Sequence, residues 1–268
     1  MSPLTEESTF VSRIAEVVVE VEDGVAVLTI SRPEKLNAVT PEMSAELERA
    51  AHWINDSDRV RAVVLTGAGE RAFCAGSDIR TLDAYASPWA FRNRRDYCDA
   101  LREVRKPVIA AVNGYAFGGG LETALTCDIR LASSSASFAA PEVKLGWIGG
   151  GGMSPLLAAT VGPGNAAMML MTGDAIDAET ALRWGLVSEV LAPDDLLPRA
   201  RGLAQTIAAR PPIAVETAKA NLVAAADLPR SGAMAYEREM QAITFATRDA
   251  AEGRAAFAER RAGVFEGR

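Results

Sequence analysis

An α/β protein with largely parallel strands is what the sequence predicts, and two patterns predict it. Up to about residue 195, short apolar runs of strand length alternate with segments of helical character. Beyond that point only helical pattern remains, out to about residue 261. Strands interleaved with helices favour parallel pairing and helices layered on sheet. The rough repeat of one or two strands and a helix also suggests a solenoid-like coil, although the units share no visible sequence identity. The expected organisation is a core over residues 1–195 and a helical region over 196–268.

The elements follow in order. Residues 17–21 and 25–31 read as strands joined at Glu22-Asp23-Gly24, because Asp-Gly between apolar alternations signals a hairpin. Thr40 caps a helix that runs to about residue 55, with Pro41 at its first position. Residues 60–66 form a strand whose near-continuous Val-Val-Leu implies burial on both faces. Residues 73–78 make a small-residue turn into a helix, and 89–105 read as one helix. A buried strand follows Pro107 over 108–112, and the glycine run after it opens a helix over 121–125. Short strands are expected at 129–132 and 136–138. The apolar helical stretch 155–171 is broken at Gly162-Pro163-Gly164. A helix over 178–184 stops at Gly185, and 186–191 is the last strand. Pro211-Pro212 and Pro229 divide the helices after residue 194.

Composition narrows the class. The chain is 49% hydrophobic and 24% charged, as an ordinary globular protein is, and it has no apolar run of the ~18 residues that a membrane span needs. Residues 1–7 carry no basic cluster, so they do not read as a signal peptide and are expected to be disordered. A net charge of −7 disfavours binding to nucleic acid. Cys74, Cys98 and Cys127 are too few and too irregular for a disulfide framework or a zinc site, which points to a reducing cytoplasm. The single histidine, His52, reads as a helix-face residue, because no nucleophile motif offers it a partner.

Three segments carry unusual chemistry: Phe73-Cys74-Ala75-Gly76-Ser77-Asp78-Ile79, Asn113-Gly114-Tyr115-Ala116-Phe117-Gly118-Gly119-Gly120-Leu121-Glu122, and Ala140-Pro141-Glu142-Val143-Lys144-Leu145-Gly146. In the second, glycines between a strand and a helix let backbone approach a ligand. The free N–H groups of the helix start attract negative charge, either a bound anion or an oxygen that becomes anionic during reaction. The run lacks the Lys-Ser/Thr ending of a P-loop and the third glycine of a dinucleotide motif. Glu122 and Glu142 read either as first-turn acids favoured by a helix dipole or as a general acid–base pair. Spacing alone does not place them in one pocket.

Together these segments resemble the enoyl-CoA hydratase/isomerase, or crotonase, family. The resemblance begins at Ile30-Ser31-Arg32-Pro33-Glu34-Lys35-Leu36-Asn37-Ala38 and continues through Val64-Leu65-Thr66-Gly67, Ala75-Gly76-Ser77-Asp78 and the stretch from Lys106 to the glycine run. It closes with Cys127-Asp128-Ile129-Arg130, Pro141-Glu142-Val143-Lys144-Leu145-Gly146, Gly185-Leu186-Val187 and Glu252-Gly253-Arg254-Ala255-Ala256-Phe257. It implies a crotonase-like spiral of strand–strand–helix units. It also implies a C-terminal helical region that packs subunits into trimers, often paired into hexamers, and completes the acyl-CoA pocket.

The resemblance also implies a function. Backbone N–H groups of Ser77 and Gly119 would form an oxyanion hole for the thioester carbonyl, and Glu122 and Glu142 would be the catalytic carboxylates of a hydro-lyase. Glu122 is assigned mainly to the water and Glu142 mainly to proton transfer. Lys35, Ala38, Ala75, Ser77, Asp78, Ile79, Gly118, Gly119 and Trp147 would contact the acyl-CoA. Coenzyme A is then part of the substrate, and no separate cofactor or metal is expected.

The sequence departs from the family at Gly149-Gly150-Gly151-Gly152, where hydratases typically carry Pro-Gly-Ala-Gly-Gly-Thr. Four glycines imply a freer loop near the acyl end, and Trp147 adds bulk there. This loop is the reason to keep an isomerase, hydrolase or decarboxylase as alternatives, while retention of both acids favours hydration. A silent scaffold or RNA-binding member is disfavoured, because both acids are kept and the chain is acidic. Glu259-Arg260-Arg261 stands where the family often has a Lys-Arg pair, and an arginine there is a candidate for the CoA phosphates.

Overall fold

The computed structural model describes residues 9–82 and 85–268; the segment expected to be disordered, 1–7, lies outside them. Strands β1 (Val17–Glu22) and β2 (Val25–Ile30) form the expected hairpin. Helix α1 (Pro41–Asp56) follows, then β3 (Ala62–Gly67), β4 (Ala72–Cys74), α2 (Ile79–Leu82), α3 (Pro88–Arg92) and α4 (Tyr97–Arg102). Next come β5 (Val108–Val112), β6 (Tyr115–Phe117), α5 (Gly119–Thr126), β7 (Ile129–Ser133) and β8 (Ser137–Ala139). A 3-10 turn over Pro141–Leu145 leads to α6 (Met153–Val161), α7 (Pro163–Thr172), β9 (Ile176–Asp177), α8 (Ala178–Arg183) and β10 (Glu189–Leu191). Four helices close the chain: α9 (Pro193–Ala208), α10 (Pro212–Asp227), α11 (Arg230–Phe245) and α12 (Arg248–Glu259).

The strands build two sheets. One has the order β1-β2-β3-β5-β7-β10 and is parallel from β2 onward. The other has the order β4-β6-β8-β9 and is parallel except at β9. Successive turns of the chain thus place a long strand in the first sheet and a short one in the second. The apolar runs follow from burial on both faces. Leu28, Leu65, Ala110 and Ala132 face the main core. Their neighbours Val27, Val64, Ile109 and Leu131 face α9, which meets them with Leu196, Ala200, Ala204 and Ala208 at helical spacing.

Four local expectations are corrected. Residues 89–105 are two short helices, because Asp96 caps a fresh start by accepting a hydrogen bond from Cys98 N at 2.9 Å. Arg92, Arg94 and Arg95 therefore do not share one helix face. They engage Trp89, the Phe91 ring with Asp96, and Glu48 respectively. Strands β4 and β6 have three residues each, too short for a period. Residues 186 and 187 turn back on α8, with Leu186 N donating to Ala181 O at 2.8 Å, and the chain joins β7 only from Ser188, so the last strand is 189–191. Helix α5 opens at Gly119 rather than at residue 121.

Within the expected helical region 196–268, α9 belongs to the sheet's own packing, and α10 and α11 have no buried residue. Helix α10 is tied down by Lys219, whose ammonium meets Asp128 at 2.9 Å and Lys106 O at 3.1 Å. Between α10, α11 and the core lies a cavity of about 1030 Å³, lined by Arg102, Arg105, Lys106, Lys219 and Tyr236 among others and by neither Glu122 nor Glu142.

Two asparagines clip the loops that precede the site. Buried Asn37, at φ 57°, accepts from Arg32 N at 2.8 Å and donates to Ala68 O and Ala72 O at 3.0 and 2.7 Å. Asn113 accepts from Gly67 N at 3.2 Å and donates to Gly69 O at 2.7 Å. Asn37→Ala leaves buried backbone groups without partners, so it is expected to cost about 2–3 kcal/mol in urea unfolding. An unchanged midpoint would show that these bonds are not needed.

Candidate active site

The site starts where β6 ends. Gly118, at φ 56°, turns the chain into α5, and its N–H donates to Ala139 O at 2.9 Å. The carbonyl of Cys74 occupies the place that a side chain on Gly120 would need. The turn 74–77 can therefore lie against the first turn of α5. A Cβ on Gly76 would come within 2.8 Å of Gly119 N, and one on Gly119 within 3.5 Å of Ser77 N. The amides of Ser77 and Gly119 are thus neighbours.

Both amides are left free by their surroundings. Gly119 is the first residue of α5, so its N–H has no acceptor within the helix. Ser77 sits in a bridge with Val39 in which Val39 N donates to Gly76 O and Asp78 N donates to Val39 O, each at 2.8 Å. Those bonds hold Ser77 on both sides and leave its own N–H unused among the described residues.

Glu122 lies one turn along α5, with its side chain buried. Its Oε1 accepts from Gly151 N at 2.7 Å and from Met153 N at 3.2 Å. Burial raises its pKa above the usual carboxylate range, with the charges of Glu142 and Asp96 adding to the rise. The Gly151 and Met153 amides oppose it. Glu142 follows β8 in the 3-10 turn, and its carboxylate packs on Gly118, where a Cβ would lie 2.8 Å from Oε1. Its Oε2 is buried with no hydrogen-bond partner among the described residues. Burial raises its pKa too, opposed only by its own backbone N–H. The structure brings together what spacing could not, since the two carboxylates flank one glycine turn and the charge of Glu142 reaches Glu122.

The tetraglycine loop corrects an expectation. Its glycines do not loosen it; they let it close on Glu122. A Cβ on Gly149 would sit 2.7 Å from Glu122 Oε1, and one on Gly151 2.7 Å from Oε2. Only at Gly150 is there room, the nearest atom being Arg94 Nη2 at 3.8 Å. Arg102 Nη1 donates to Gly151 O and so fixes the loop from α4.

The remaining expected contacts fall on one strip. Ala75 N donates to Leu36 O at 3.0 Å, so the segment bearing Lys35 and Ala38 runs beside Ala75, Ser77 and Asp78. Lys35 and Ile79 are exposed along it. The carboxylate of Asp78 is held by Arg80 and Arg32, which lower its pKa to about 2. It therefore acts as a fixed anion behind Ser77. Trp147 is exposed, and its N–H donates to Glu142 O at 3.2 Å. Arg261 lies apart, its guanidinium taken by Glu252 and Glu259. His52 is exposed on α1, and all three cysteines are buried. Sequence reasoning missed Asp96, Tyr97, Arg102 and the loop amides that hold Glu122. Only the Asp96 cap had a local signature.

Residues 20–268 match the model of the family described as enoyl-CoA hydratase/isomerase. The chain belongs to the enoyl-CoA hydratase/isomerase family. It is 40% identical to the (E)-benzylidenesuccinyl-CoA hydratase of Thauera aromatica, over 94% of this chain and 99% of that protein. It is 38% identical to the crotonyl-CoA hydratase of Syntrophomonas wolfei, over 93% and 97% respectively. Its fold matches a crystal structure of an enoyl-CoA hydratase from Geobacillus kaustophilus at a TM-score of 0.90 and 37% identity, covering 96% of this chain and all of that one. The spiral of strand–strand–helix units with helices at the C-terminus is the crotonase fold.

For an enzyme of this family the arrangement is chemically coherent. Adjacent N–H donors can hold an oxygen that gains charge, and two carboxylates beside them can move protons. Gly151→Ala is expected to lower stability by about 1–3 kcal/mol, because its methyl meets the Glu122 carboxylate, whereas Gly150→Ala is expected to be neutral. Thermal unfolding of both variants checks this; equal midpoints would mean that the loop is not packed on Glu122.

Proposed function

We propose that the protein is an enoyl-CoA hydratase, a hydro-lyase that adds water across the 2,3 double bond of a 2-enoyl-CoA thioester. The observation that carries this reading is the unlike surroundings of its two carboxylates. Glu122 accepts two backbone N–H groups, which favour its ionised form and aim it. Glu142 has a buried oxygen without a partner, which favours its protonated form. One is suited to take a proton and the other to give one.

The steps follow. The thioester carbonyl oxygen lies on the Ser77 and Gly119 amides, which draws electrons from the double bond and makes C3 electrophilic. Water, oriented by Glu122, attacks C3 as its proton passes to that carboxylate. Charge gathers on the carbonyl oxygen, where the amides stabilise it more than they stabilise the ground state. The Glu142 proton then reaches C2, and the product carries one added water. Lys35, Ala38, Ala75, Asp78, Ile79, Gly118 and Trp147 line the path we assign to the acyl-CoA, with Lys35 offering a cation to its phosphates. The hydratases among the relatives support this reading. The loop that kept an isomerase, hydrolase or decarboxylase in view packs on Glu122, which supports the hydratase reading.

We further propose self-association as a trimer or a pair of trimers. Exposed Leu222, Val223, Phe245 and Phe257 on α10–α12 are apolar surface that association would cover. No helix among the described residues is long and apolar enough to cross a membrane. Three free, buried thiols suit the cytoplasm, where we place the protein.

Loss of the conjugated thioester absorbance of crotonyl-CoA, with the 3-hydroxyacyl product identified, tests the reaction. Glu122→Gln and Glu142→Gln are each expected to lower kcat by about 10²–10⁴-fold. Full activity in either variant, or no turnover by the wild type at any chain length, overturns the reading. The pH profile has a defined sign. Glu122 works ionised, so its raised pKa moves the acidic limb upward; Glu142 works protonated, so its raised pKa moves the alkaline limb upward. A bell lying above the usual carboxylate range is expected, its limbs belonging to the coupled pair. A flat profile would exclude this division of roles.

A further inference from the structure

Tyr97 is a buried polar side chain beside the amide pair that the mechanism above does not use. It is the first residue of α4, placed there by the Asp96 cap that interrupts the expected long helix. Its ring is buried, and its hydroxyl lies where a side chain on Gly119 would go, next to Gly76 Cα and Ser77 N. A cavity of about 190 Å³ is lined by both Ser77 and Tyr97, together with Thr40, Leu82, Tyr85 and Arg94. The phenol therefore shares a cavity with Ser77 and abuts Gly119.

We propose that the Tyr97 hydroxyl is a third hydrogen-bond donor to the thioester carbonyl oxygen, beside the Ser77 and Gly119 amides. The inference rests on the site being one that activates a thioester. Its chemistry is simple. A hydroxyl accepts one hydrogen bond while donating another. Ser77 lines the same small cavity as the phenol, and its side chain acts to lower the phenol's pKa, as a hydroxyl that donates to the phenol oxygen does. Burial, followed by Cys98 and Cys74, holds that pKa well above the usual phenol value, so the proton stays on the oxygen. The phenol proton is then free to point at the carbonyl oxygen. An enolate-like oxygen has lone pairs for a third donor after two amides, and a donor to a charged oxygen is about twice as strong as one to a neutral carbonyl. The same relay gives the Ser77 hydroxyl a use separate from that of its backbone N–H.

The test compares Tyr97→Phe with wild type in the full chain. Two readouts are taken: hydration of crotonyl-CoA, and the absorbance of bound 3-phenylacryloyl-CoA, whose thioester chromophore moves to longer wavelength as its carbonyl is polarised. The expected result is a kcat about 100-fold lower with KM little changed, a smaller red shift and an unaltered thermal midpoint. A tyrosine that only fills space would leave the red shift intact, and that outcome overturns the proposal. Should Tyr97→Phe fail to fold, Ser77→Ala carries the same test: a loss of a few-fold in kcat with a reduced shift supports the relay, and an unchanged shift rejects it. A wild-type protein that neither shifts the chromophore nor hydrates it would overturn the thioester reading itself, a result distinct from a wild type that does both and a variant that matches it.

Discussion

The closeness of two backbone turns is the constraint on which the site depends. The Cys74 carbonyl stands in the place of a Gly120 side chain, and Gly76 lies against the Gly119 amide. Contact of this kind exists only where backbone meets backbone without Cβ atoms between. It sets the separation of two N–H donors by packing, and packed interiors deform little. Asn37 and Asn113 clip the loops behind one turn, and Arg32 and Arg80 fix Asp78, the residue after Ser77. An electrostatic site needs that rigidity, because donors that reorient during reaction lose much of their advantage over water.

The two glutamates follow another logic. Glu122 and Glu142 belong to different elements, one on a helix that opens at the glycine turn and the other on a 3-10 turn after β8. Burial lifts both pKa values, yet only Glu122 receives amides from outside its own turn. Hydrogen bonding, rather than burial alone, sets the two carboxylates apart.

The strands of the first sheet were legible because burial on both faces leaves no polar residue to interrupt Val64, Leu65 or Ile109. The β1–β2 hairpin and the Thr40 cap were legible because their signals are local. Strands β4 and β6 were not, since three residues show no period. Nor was the break before Tyr97, because Asp96 sits among charges that a solvated helix would also carry. The glycine turn and both glutamates were visible as candidates, and likeness to a family supplied their partnership. What Gly149 and Gly151 do could not be read at all, because their constraint comes from a carboxylate far away in sequence.

Arg102, through Gly151, connects α4 to the loop whose amides hold Glu122. The ionisation of Glu122 is therefore tied to the position of a loop, while the amide pair is embedded between two packed turns. The site has a fixed half and an adjustable half. A change at Arg102 reaches Glu122 through Gly151 without touching Gly76, Gly119 or Gly120, so the setting of the carboxylate and the setting of the amide pair are open to separate change within one pocket.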